Sequence, residues 1–341
     1  MANGGLMDLG RGPLVLLFYD GFEKQADCGA YGKIRSNIRG RLRSIYRRMQ
    51  GKQVNTGFYV AFLSLVDSLK KVGCDVRIND FSLALKFPRY PIGISGYPSV
   101  ITKTALLPNP MLFGPGDPGF PDEVASIRET ANVRLMIQPS DWYVDFYRRY
   151  CGDIVVRWPA GIDTSVIPDT LLCEKSVDVA IYDKVRWNRA EVVPRVVDRL
   201  KTHLDGLGLS HVTLRYGAHT QPEYFDVLRR SRSLAFLCEH ETQGLACEEA
   251  MAMNVPILAW DEGFLADPRQ RPLAAPDLRV SSVPYFDDRC GIQFRETTME
   301  ESFNRFWRER QKFRPREYVE EHLNMRMLAG EYIRLLERVG S

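Results

Sequence analysis

Apolar runs with the pattern of buried strands alternate with amphipathic helical patterns along the first half of the chain. The run Pro13–Tyr19 predicts a buried strand, and apolar residues at helical spacing over Phe58–Lys71 predict a helix capped by Asn55 or Thr56. The proline- and glycine-rich run Leu107–Glu123 predicts a loop. The other elements predicted in this half are strands at Cys74–Ile78, Val133–Ile137 and Ile154–Trp158, and a helix at Asp141–Tyr150.

The same alternation continues through the second half of the chain. The predicted strands are Val177–Tyr182, His211–Arg215, Ser233–Cys238 and Ile257–Trp260, and the predicted helices are Arg189–Leu204, Pro222–Ser231, one that begins near Gly244, Tyr318–Leu323 and Asn324–Val339. Strand–helix alternation in both halves indicates two parallel sheets with helices on both faces. Such sheets bind ligands at the carboxyl ends of their strands, so we expect the functional residues there.

Length and composition favour a soluble protein of two domains. A chain of 341 residues is too long for one ordinary core and suits two domains of about 150 residues each. The seven cysteines are scattered and odd in number, which favours a reducing compartment over a disulfide framework. The sequence has no apolar run of membrane-spanning length and no signal-peptide pattern at its start, so we expect a cytoplasmic protein.

The most informative stretch is Leu237–Asp261, which reads as strand, loop, helix and strand. Gly244 permits close backbone approach at the start of the helix, where unpaired amides and the helix dipole favour anions. Glu241 lies in the loop before that point, and Glu249 lies just over one turn inside the helix. Amides for a phosphate and carboxylates for sugar hydroxyls together predict a nucleotide-sugar site.

This stretch resembles the Glu-x7-Glu signature of retaining GT-B glycosyltransferases, most closely family 4. Glu241 and Glu249 are eight residues apart, with Gly244-Leu245 between them and Ala250-Met251-Ala252 after them. The chain departs from the family pattern in having Thr242-Gln243 for Gly-Phe and Asn254 for Gly.

The resemblance implies the GT-B fold, in which two Rossmann-like domains face each other across a cleft and C-terminal helices cross back. The run Trp158–Asp163 resembles the family element that closes the first domain. The domains expected from it are an acceptor-side domain over residues 1–165, a nucleotide-sugar domain over residues 166–312, and helices over residues 313–341 that pack on the first domain.

The resemblance also implies a role for individual residues. Glu249 is expected to hold the ribose hydroxyls, Glu241 to face the donor sugar, and the amides near Gln243, Gly244 and Leu245 to take the distal phosphate. A leaving diphosphate needs positive groups, and Lys184 follows a predicted strand, with Arg186 two residues later. Lys184, Arg186 and Glu241 are therefore the candidate catalytic residues. The candidate substrate-binding residues are Glu249, Gln243, Gly244, Leu245, His219, Gly21 and Gly57.

Two absences bear on the mechanism. All five histidines lie beyond residue 200, so the first half cannot supply the histidine base that inverting GT-B enzymes often use. Retaining members are thought to let the leaving phosphate take the acceptor proton, and they need no protein nucleophile. No spaced Asp-x-Asp motif stands out, and Asp287-Asp288 is interpreted as structural. We therefore expect no metal and no cofactor, with the nucleotide-sugar as co-substrate.

A basic segment at Lys33–Arg48 leaves several partners open. Apolar residues recur there at helical spacing with arginines on the remaining positions, and the chain has no acidic residue from Cys28 to Val66. Such a helix suits an anionic membrane surface, a phosphate-bearing acceptor or a nucleic-acid backbone, and it also suits packing on its own domain.

The sequence therefore predicts a retaining glycosyltransferase that moves a hexose-like sugar from a nucleotide-sugar to an acceptor hydroxyl. The expected acceptor is a glycan or lipid-linked molecule, with peripheral contact to a membrane and without nucleic acid as a partner. The alternatives are a catalytically silent GT-B scaffold or binding protein, a sugar-nucleotide epimerase and a phosphorylase. The donor base, the sugar, the linkage and the oligomeric state are left open.

Overall fold

The computed structural model describes residues 6–26 and 56–341, which form two units. Unit 1 contains residues 6–26, 56–161 and 325–341, and unit 2 contains residues 162–324. The basic segment Lys33–Arg48 lies outside the described residues. Within the ranges 6–26 and 56–341, no helix is both long and apolar enough to cross a membrane.

Unit 1 is built on a parallel sheet with the strand order β2-β1-β3-β4-β5-β6. Its strands are β1 (Leu14–Asp20), β2 (Asp75–Ile78), β3 (Ile92–Gly96), β4 (Met111–Gly116), β5 (Val133–Gln138) and β6 (Val155–Arg157). Its helices are α1 (Gly57–Lys71), α2 (Phe81–Lys86), α3 (Ser99–Thr104), α4 (Ile127–Thr130), α5 (Asp141–Cys151) and, from the end of the chain, a helix over Met325–Gly340. Short 3-10 turns lie at Glu123–Ser126 and Gly152–Ile154.

The C-terminal helix, which begins at Met325, belongs to the core of unit 1. It packs against α1 and β4, and Trp158 at the end of β6 donates a hydrogen bond from Nε1 to the Leu328 carbonyl at 2.9 Å. The predicted start of α1 is also confirmed, because the Thr56 hydroxyl accepts a hydrogen bond from the Tyr59 amide at 3.4 Å. A buried indole N–H needs a partner, so the hydrogen bond from Trp158 to Leu328 fixes the C-terminal helix on the sheet.

The prediction of a loop over Leu107–Glu123 was wrong. The segment contains β4, which pairs with β3 on one side and β5 on the other. The apolar run Met111-Leu112-Phe113 pairs with both neighbouring strands, and all three side chains are buried. The surrounding prolines and glycines made this three-residue apolar run look like part of a loop. The run forms a strand because it lies between two other strands, which supply its hydrogen bonds.

Unit 2 is built on a second parallel sheet with the strand order β11-β10-β9-β7-β8. Its strands are β7 (Val177–Asp183), β8 (His211–Arg215), β9 (Ser231–Leu237), β10 (Ile257–Trp260) and β11 (Gly291–Phe294). Its helices are α6 (Arg189–Val193), α7 (Arg199–Gly206), α8 (Gln221–Arg230), α9 (Leu245–Ala252), α10 (Met299–Glu309) and α11 (Pro315–His322), and the C-terminal helix of unit 1 is then α12. A π-helical turn at Pro194–Asp198 joins α6 to α7, and 3-10 turns lie at Arg271–Leu273, Glu296–Thr298 and Arg310–Lys312.

Side chains of β7 alternate between two apolar layers of unit 2, one on each face of the sheet. Ala180 and Tyr182 join the layer with α8, α9 and α11, whereas Val179 and Ile181 join the layer with α7 and α10. Burial on both faces is typical of a parallel sheet, and it explains why this strand is an almost continuous apolar run. Because α11 packs on α9, the tail from residue 313 is divided between the two units.

Gly291 at the start of β11 allows the edge strand to approach β10. Its φ angle is +148°, and a Cβ atom at this position would lie 1.8 Å from the Ile257 carbonyl oxygen. Only glycine fits there without displacing backbone that pairs the two strands.

We predict that Gly291→Ala lowers the free energy of unfolding by about 3 kcal/mol or more, because it combines a backbone clash with a disfavoured φ. Denaturant unfolding followed by circular dichroism measures this change. The matched control is Gly206→Ala in the same unit, where the new methyl group meets no atom within 4 Å. Equal stability of the two variants would contradict the proposed close approach.

Candidate functional site

The central strands β7 and β9 deliver two loops to the same edge of the unit 2 sheet. Asp183 pairs with Leu237 at the ends of these strands, and the Lys184 amide donates to the Leu237 carbonyl at 2.9 Å. The stretch from the last residue of β7 to the first residue of α6, residues 183–189, is called the cation loop, because it carries Lys184, Arg186 and Arg189. It lies beside residues 238–244, so the topology brings together residues that are more than 50 positions apart.

Lys184 and Glu241 form a buried ion pair at this edge. The side chains are 11% and 9% exposed, so each charge depends on the other for its stabilisation. Burial alone lowers the pKa of Lys184, and the Glu241 carboxylate reverses this, so that the pKa is raised. Burial alone raises the pKa of Glu241, and Lys184 and Arg186 reverse it, so that this pKa is lowered. Both groups are therefore charged at neutral pH.

Arg186 lies next to the ion pair and is held by a carbonyl and an aromatic ring. Its guanidinium donates to the His240 carbonyl and lies 4.3 Å from the centre of the Trp187 ring. Trp187 stacks on His240 with ring centroids 4.7 Å apart. Burial, together with the charge of Arg186, lowers the pKa of His240 to about 4, so this imidazole is neutral at physiological pH.

Glu239 fixes the backbone of the cation loop, a role that the sequence analysis missed. Its carboxylate is buried and accepts the Arg186 amide at 3.0 and 3.2 Å and the Trp187 amide at 3.0 Å. An acid directly after an apolar strand gives no sequence signal for this contact, because the two amides belong to the loop after a different strand.

Asp183 and Arg189 hold the ends of the cation loop together. The guanidinium donates to both carboxylate oxygens, at 2.8 and 2.7 Å. Such bidentate pairs are the most strongly oriented contacts between these groups. Asp183 also accepts the Val185 amide at 3.2 Å. The positions of Lys184 and Arg186 are therefore set by contacts on both sides of the loop.

The amino end of α9 faces Glu241 across a left-handed glycine. Gly244 has a φ angle of +96°, and a Cβ atom there would lie 3.7 Å from the Glu241 Cβ. Leu245 is the first residue of the helix, and the amides of its first turn have no partner within the helix. Gln243 donates from its side-chain amide to Glu248 at 2.9 Å. Burial raises the pKa of Glu248 well above its usual range, so this carboxyl is neutral.

Glu249 lies one position further along α9, where it is partly exposed. Its carboxylate accepts the side-chain amide of Gln221 at 2.7 Å. Burial raises the pKa of Glu249 to about 7, and the Gln221 hydrogen bond opposes this only in part. Both Glu241 and Glu249 act on Tyr182, whose pKa is raised first by burial and then by these nearby charges. The two glutamates therefore contribute to the electrostatic environment of one phenol group.

His219 is buried against Tyr182 and Tyr224 in unit 2. Its ring lies 5.5 Å from Tyr182 and 5.5 Å from Tyr224, centroid to centroid. The ring nitrogen Nδ1 lies 3.2 Å from the Thr220 carbonyl oxygen. His219 therefore contacts the same tyrosine whose pKa is raised by Glu241 and Glu249.

The two glycines predicted for the first half belong to unit 1. Gly21 follows β1, and its amide donates to the Lys24 carbonyl at 2.8 Å. Gly57 is the first residue of α1, and a Cβ atom at this position would meet no atom within 4 Å. Both lie at the carboxyl side of β1, which is the ligand-binding edge of such sheets.

The part of the chain that the structure describes contains no cluster of side chains suited to a metal ion. Among residues 6–26 and 56–341, no group of three histidine, cysteine, aspartate or glutamate side chains is placed to hold an ion. The charged groups of the site are instead paired with one another, as Lys184 is with Glu241 and Arg189 with Asp183.

Comparison with known proteins shows similarity at the level of structure. Neither a protein-family model nor a curated protein sequence matches the chain. Sucrose-phosphate synthase from Thermosynechococcus elongatus has a TM-score of 0.55 and 13% identity, with 96% of this chain and 99% of that chain covered. A glycosyltransferase from Rickettsia africae has a TM-score of 0.50 and 10% identity, with 96% and 98% covered.

A third structure of the same kind is WaaG, a glycosyltransferase involved in lipopolysaccharide biosynthesis. It has a TM-score of 0.50 and 9% identity, with 94% of this chain and 99% of that chain covered. These similarities extend over nearly the whole of each chain and include both parallel sheets. The predicted fold class is thereby confirmed: the chain has two Rossmann-like units and the GT-B fold of these proteins.

Proposed function

We propose that the protein is a retaining glycosyltransferase that moves a hexose-like sugar from a nucleotide-sugar to an acceptor hydroxyl. The observation that carries the proposal is the buried ion pair of Lys184 and Glu241, with Arg186 next to it, beside the amino end of α9. It lies at the carboxyl ends of the central strands of a GT-B fold, where ligands bind in parallel sheets. The structures of this fold named above include two glycosyltransferases, which supports the same class of reaction here.

Lys184, Arg186 and the first amides of α9 are the groups that suit a nucleoside diphosphate. Two phosphates carry negative charge that increases as the glycosidic bond breaks, and fixed cations in a site with little water stabilise that charge strongly. Glu239 binds the backbone of the cation loop, and Asp183 binds Arg189 at its far end. These contacts hold Lys184 and Arg186 in position before the donor arrives. Preorganisation of this kind lowers the barrier because little rearrangement accompanies the reaction.

Glu241 and Glu249 suit the hydroxyl-rich parts of the donor. In the proposed complex Glu249 accepts hydrogen bonds from the ribose and Glu241 from the transferred sugar. Donor binding then exchanges part of the Lys184–Glu241 contact for contacts to phosphate and sugar. Gln243, Gly244 and Leu245 present the amide end of α9 to the distal phosphate, and His219 supports the nucleotide side through its contact with Tyr182.

The proposed reaction takes place on one face of the donor sugar and needs no protein nucleophile. The bond between the anomeric carbon and the phosphate oxygen breaks, and a bond from that carbon to the acceptor oxygen forms on the same face. The acceptor proton passes to the leaving phosphate oxygen. Neither a metal nor a cofactor takes part in the proposed scheme, because Lys184 and Arg186 supply the positive charge.

The acceptor is proposed to be a glycan or lipid-linked molecule in polysaccharide or glycolipid assembly. In this proposal unit 1, with Gly21 and Gly57 at the carboxyl side of its first strand, receives the acceptor. Peripheral contact with an anionic membrane through Lys33–Arg48 stays a prediction of the sequence.

We predict slow release of nucleoside diphosphate from one member of a panel of UDP-, GDP-, ADP- and TDP-sugars. Lys184→Ala should lower kcat by about 100-fold or more, because it removes charge from the leaving group. Glu249→Ala should mainly raise KM for the donor, because ribose contacts are made before and during the reaction. A coupled assay for the released diphosphate measures both effects.

The matched control for Lys184→Ala is Lys201→Ala, which removes the same charge from the surface of α7 in the same unit. The Lys201 ammonium lies 3.8 Å from the Asp198 carboxylate, and the Lys201→Ala variant is expected to leave turnover unchanged. Failure of every donor in the panel, together with failure of all four free nucleoside diphosphates to bind, would refute the proposed function.

We also predict that binding of the preferred nucleoside diphosphate weakens about tenfold between pH 8 and pH 6, through Glu249 alone. The ribose contacts require the ionised carboxylate, and a pKa of about 7 means that protonation removes this form as the pH falls. Isothermal titration calorimetry at both pH values measures the change.

Glu249→Gln is the control, since an amide of the same shape does not titrate between pH 6 and pH 8. The phosphates of the nucleotide titrate in this range as well, so the quantity of interest is the difference between wild type and variant. Equal pH dependence in both proteins would contradict the assigned role of Glu249.

A further inference from the structure

The ring of Tyr216 lies against the Lys184 ammonium. β8 pairs with β7 up to the match of Arg215 with Asp183, so Tyr216 and Lys184 occupy the next matched positions. The Tyr216 amide donates to the Asp183 carbonyl at 2.9 Å, which holds Tyr216 beside Lys184 at the ends of the two strands. The Lys184 ammonium lies 4.4 Å from the centre of the phenol ring, within the range of cation–π attraction.

Tyr216 is solvent-exposed, whereas the ammonium that it contacts is largely buried. Tyr216 is 45% exposed, whereas the Lys184 side chain is 11% exposed. Gly217 follows with a φ angle of +77°, a left-handed conformation that turns the chain away directly after the ring. The ammonium is therefore held between an aromatic face on the β8 side and the Glu241 carboxylate on the β9 side.

The two partners of Lys184 act on it differently. Glu241 takes up N–H donors of the ammonium, whereas an aromatic face attracts the charge as a whole and leaves those donors available. A long, flexible lysine loses much rotamer freedom when it is fixed. A ring that stays in place after Glu241 turns to another ligand continues to restrict the ammonium.

We propose that Tyr216 is a positioning residue that holds the Lys184 ammonium for an incoming diphosphate. The role requires the aromatic face and not the phenolic hydroxyl. The ligand in this inference rests on the proposed function, whereas the contact between the ring and Lys184 does not.

The first test compares Tyr216→Phe, which keeps the ring, with Tyr216→Leu, which keeps apolar bulk without it. The ligand is whichever of UDP, GDP, ADP and TDP the wild type binds best, and calorimetry measures its dissociation constant. Tyr216→Phe should bind like wild type, and Tyr216→Leu should bind about 3- to 30-fold more weakly, the range of a partly desolvated cation–π contact.

The matched control is Trp307→Leu on α10, which removes another ring that contacts a cation in unit 2. The Arg310 guanidinium lies 4.0 Å from the centre of that ring. This variant should bind the nucleotide as wild type does. Equal weakening by Tyr216→Phe and Tyr216→Leu would overturn the proposal, because the hydroxyl would then be the important group. Wild-type affinity in Tyr216→Leu would overturn it as well.

The second test does not depend on nucleotide binding. Brief labelling with an amine-reactive acetylating reagent, followed by peptide mass spectrometry, gives the relative reactivity of Lys184. Wild type and Tyr216→Phe should label slowly and alike, and Tyr216→Leu should label faster because the ring no longer covers the amine. An unchanged rate in Tyr216→Leu would show that the ring does not hold Lys184.

The two tests separate the possible failures. If the wild type bound none of the four nucleotides while Tyr216→Leu increased labelling of Lys184, the proposed function would fail and the contact would stand. If nucleotides bound to the wild type and the labelling did not change, the proposed function would stand and the role of Tyr216 would fail.

Discussion

The buried ion pair between Lys184 and Glu241 is the interaction on which the candidate site depends. Two charges removed from water are stable only when each has a well-placed partner. That requirement explains why so many neighbouring contacts act on the backbone. Glu239 binds two amides of the cation loop, and Arg189 closes the loop against Asp183. Such a network holds Lys184 at the edge of the sheet, where an exposed lysine would otherwise move freely.

Three glutamates close together in the sequence occupy three different electrostatic environments. Glu241 has a lowered pKa beside two cations, Glu249 has a pKa near 7 at a partly buried position, and Glu248 stays neutral because it is fully buried. This difference in ionisation allows neighbouring carboxyl groups to serve separate purposes, as in acid–base pairs of enzymes generally. In the proposed complex, one faces the sugar, one the ribose, and the third supports the loop through Gln243.

Local pattern was a good guide for most of the long strands and amphipathic helices. β8 and β10 have the predicted bounds, α1 and β7 differ from prediction by one residue at one end, and β1 differs by one residue at each end. The pattern failed at β4, where glycine and proline surround a three-residue apolar run. The strands β3 and β11 and the helices α2, α3, α4 and α10 were not predicted. In these places strand pairing and packing decide the structure, and a single sequence carries little of that information.

The sequence by itself determined the alternation of strands and helices, and with it two parallel sheets, and the stretch around Gly244 that carries the candidate carboxylates. It did so because apolar periodicity, a conformationally permissive glycine and the spacing of Glu241 and Glu249 are local properties of the chain. The GT-B fold class was implied by the resemblance of that stretch to a family signature. Only the tertiary structure decided that Lys184 pairs with Glu241, that Glu239 binds the cation loop, and that Tyr216 covers the lysine. These contacts join residues after three different strands, and the order of strands in the sheet, which local pattern does not encode, brings them to one edge.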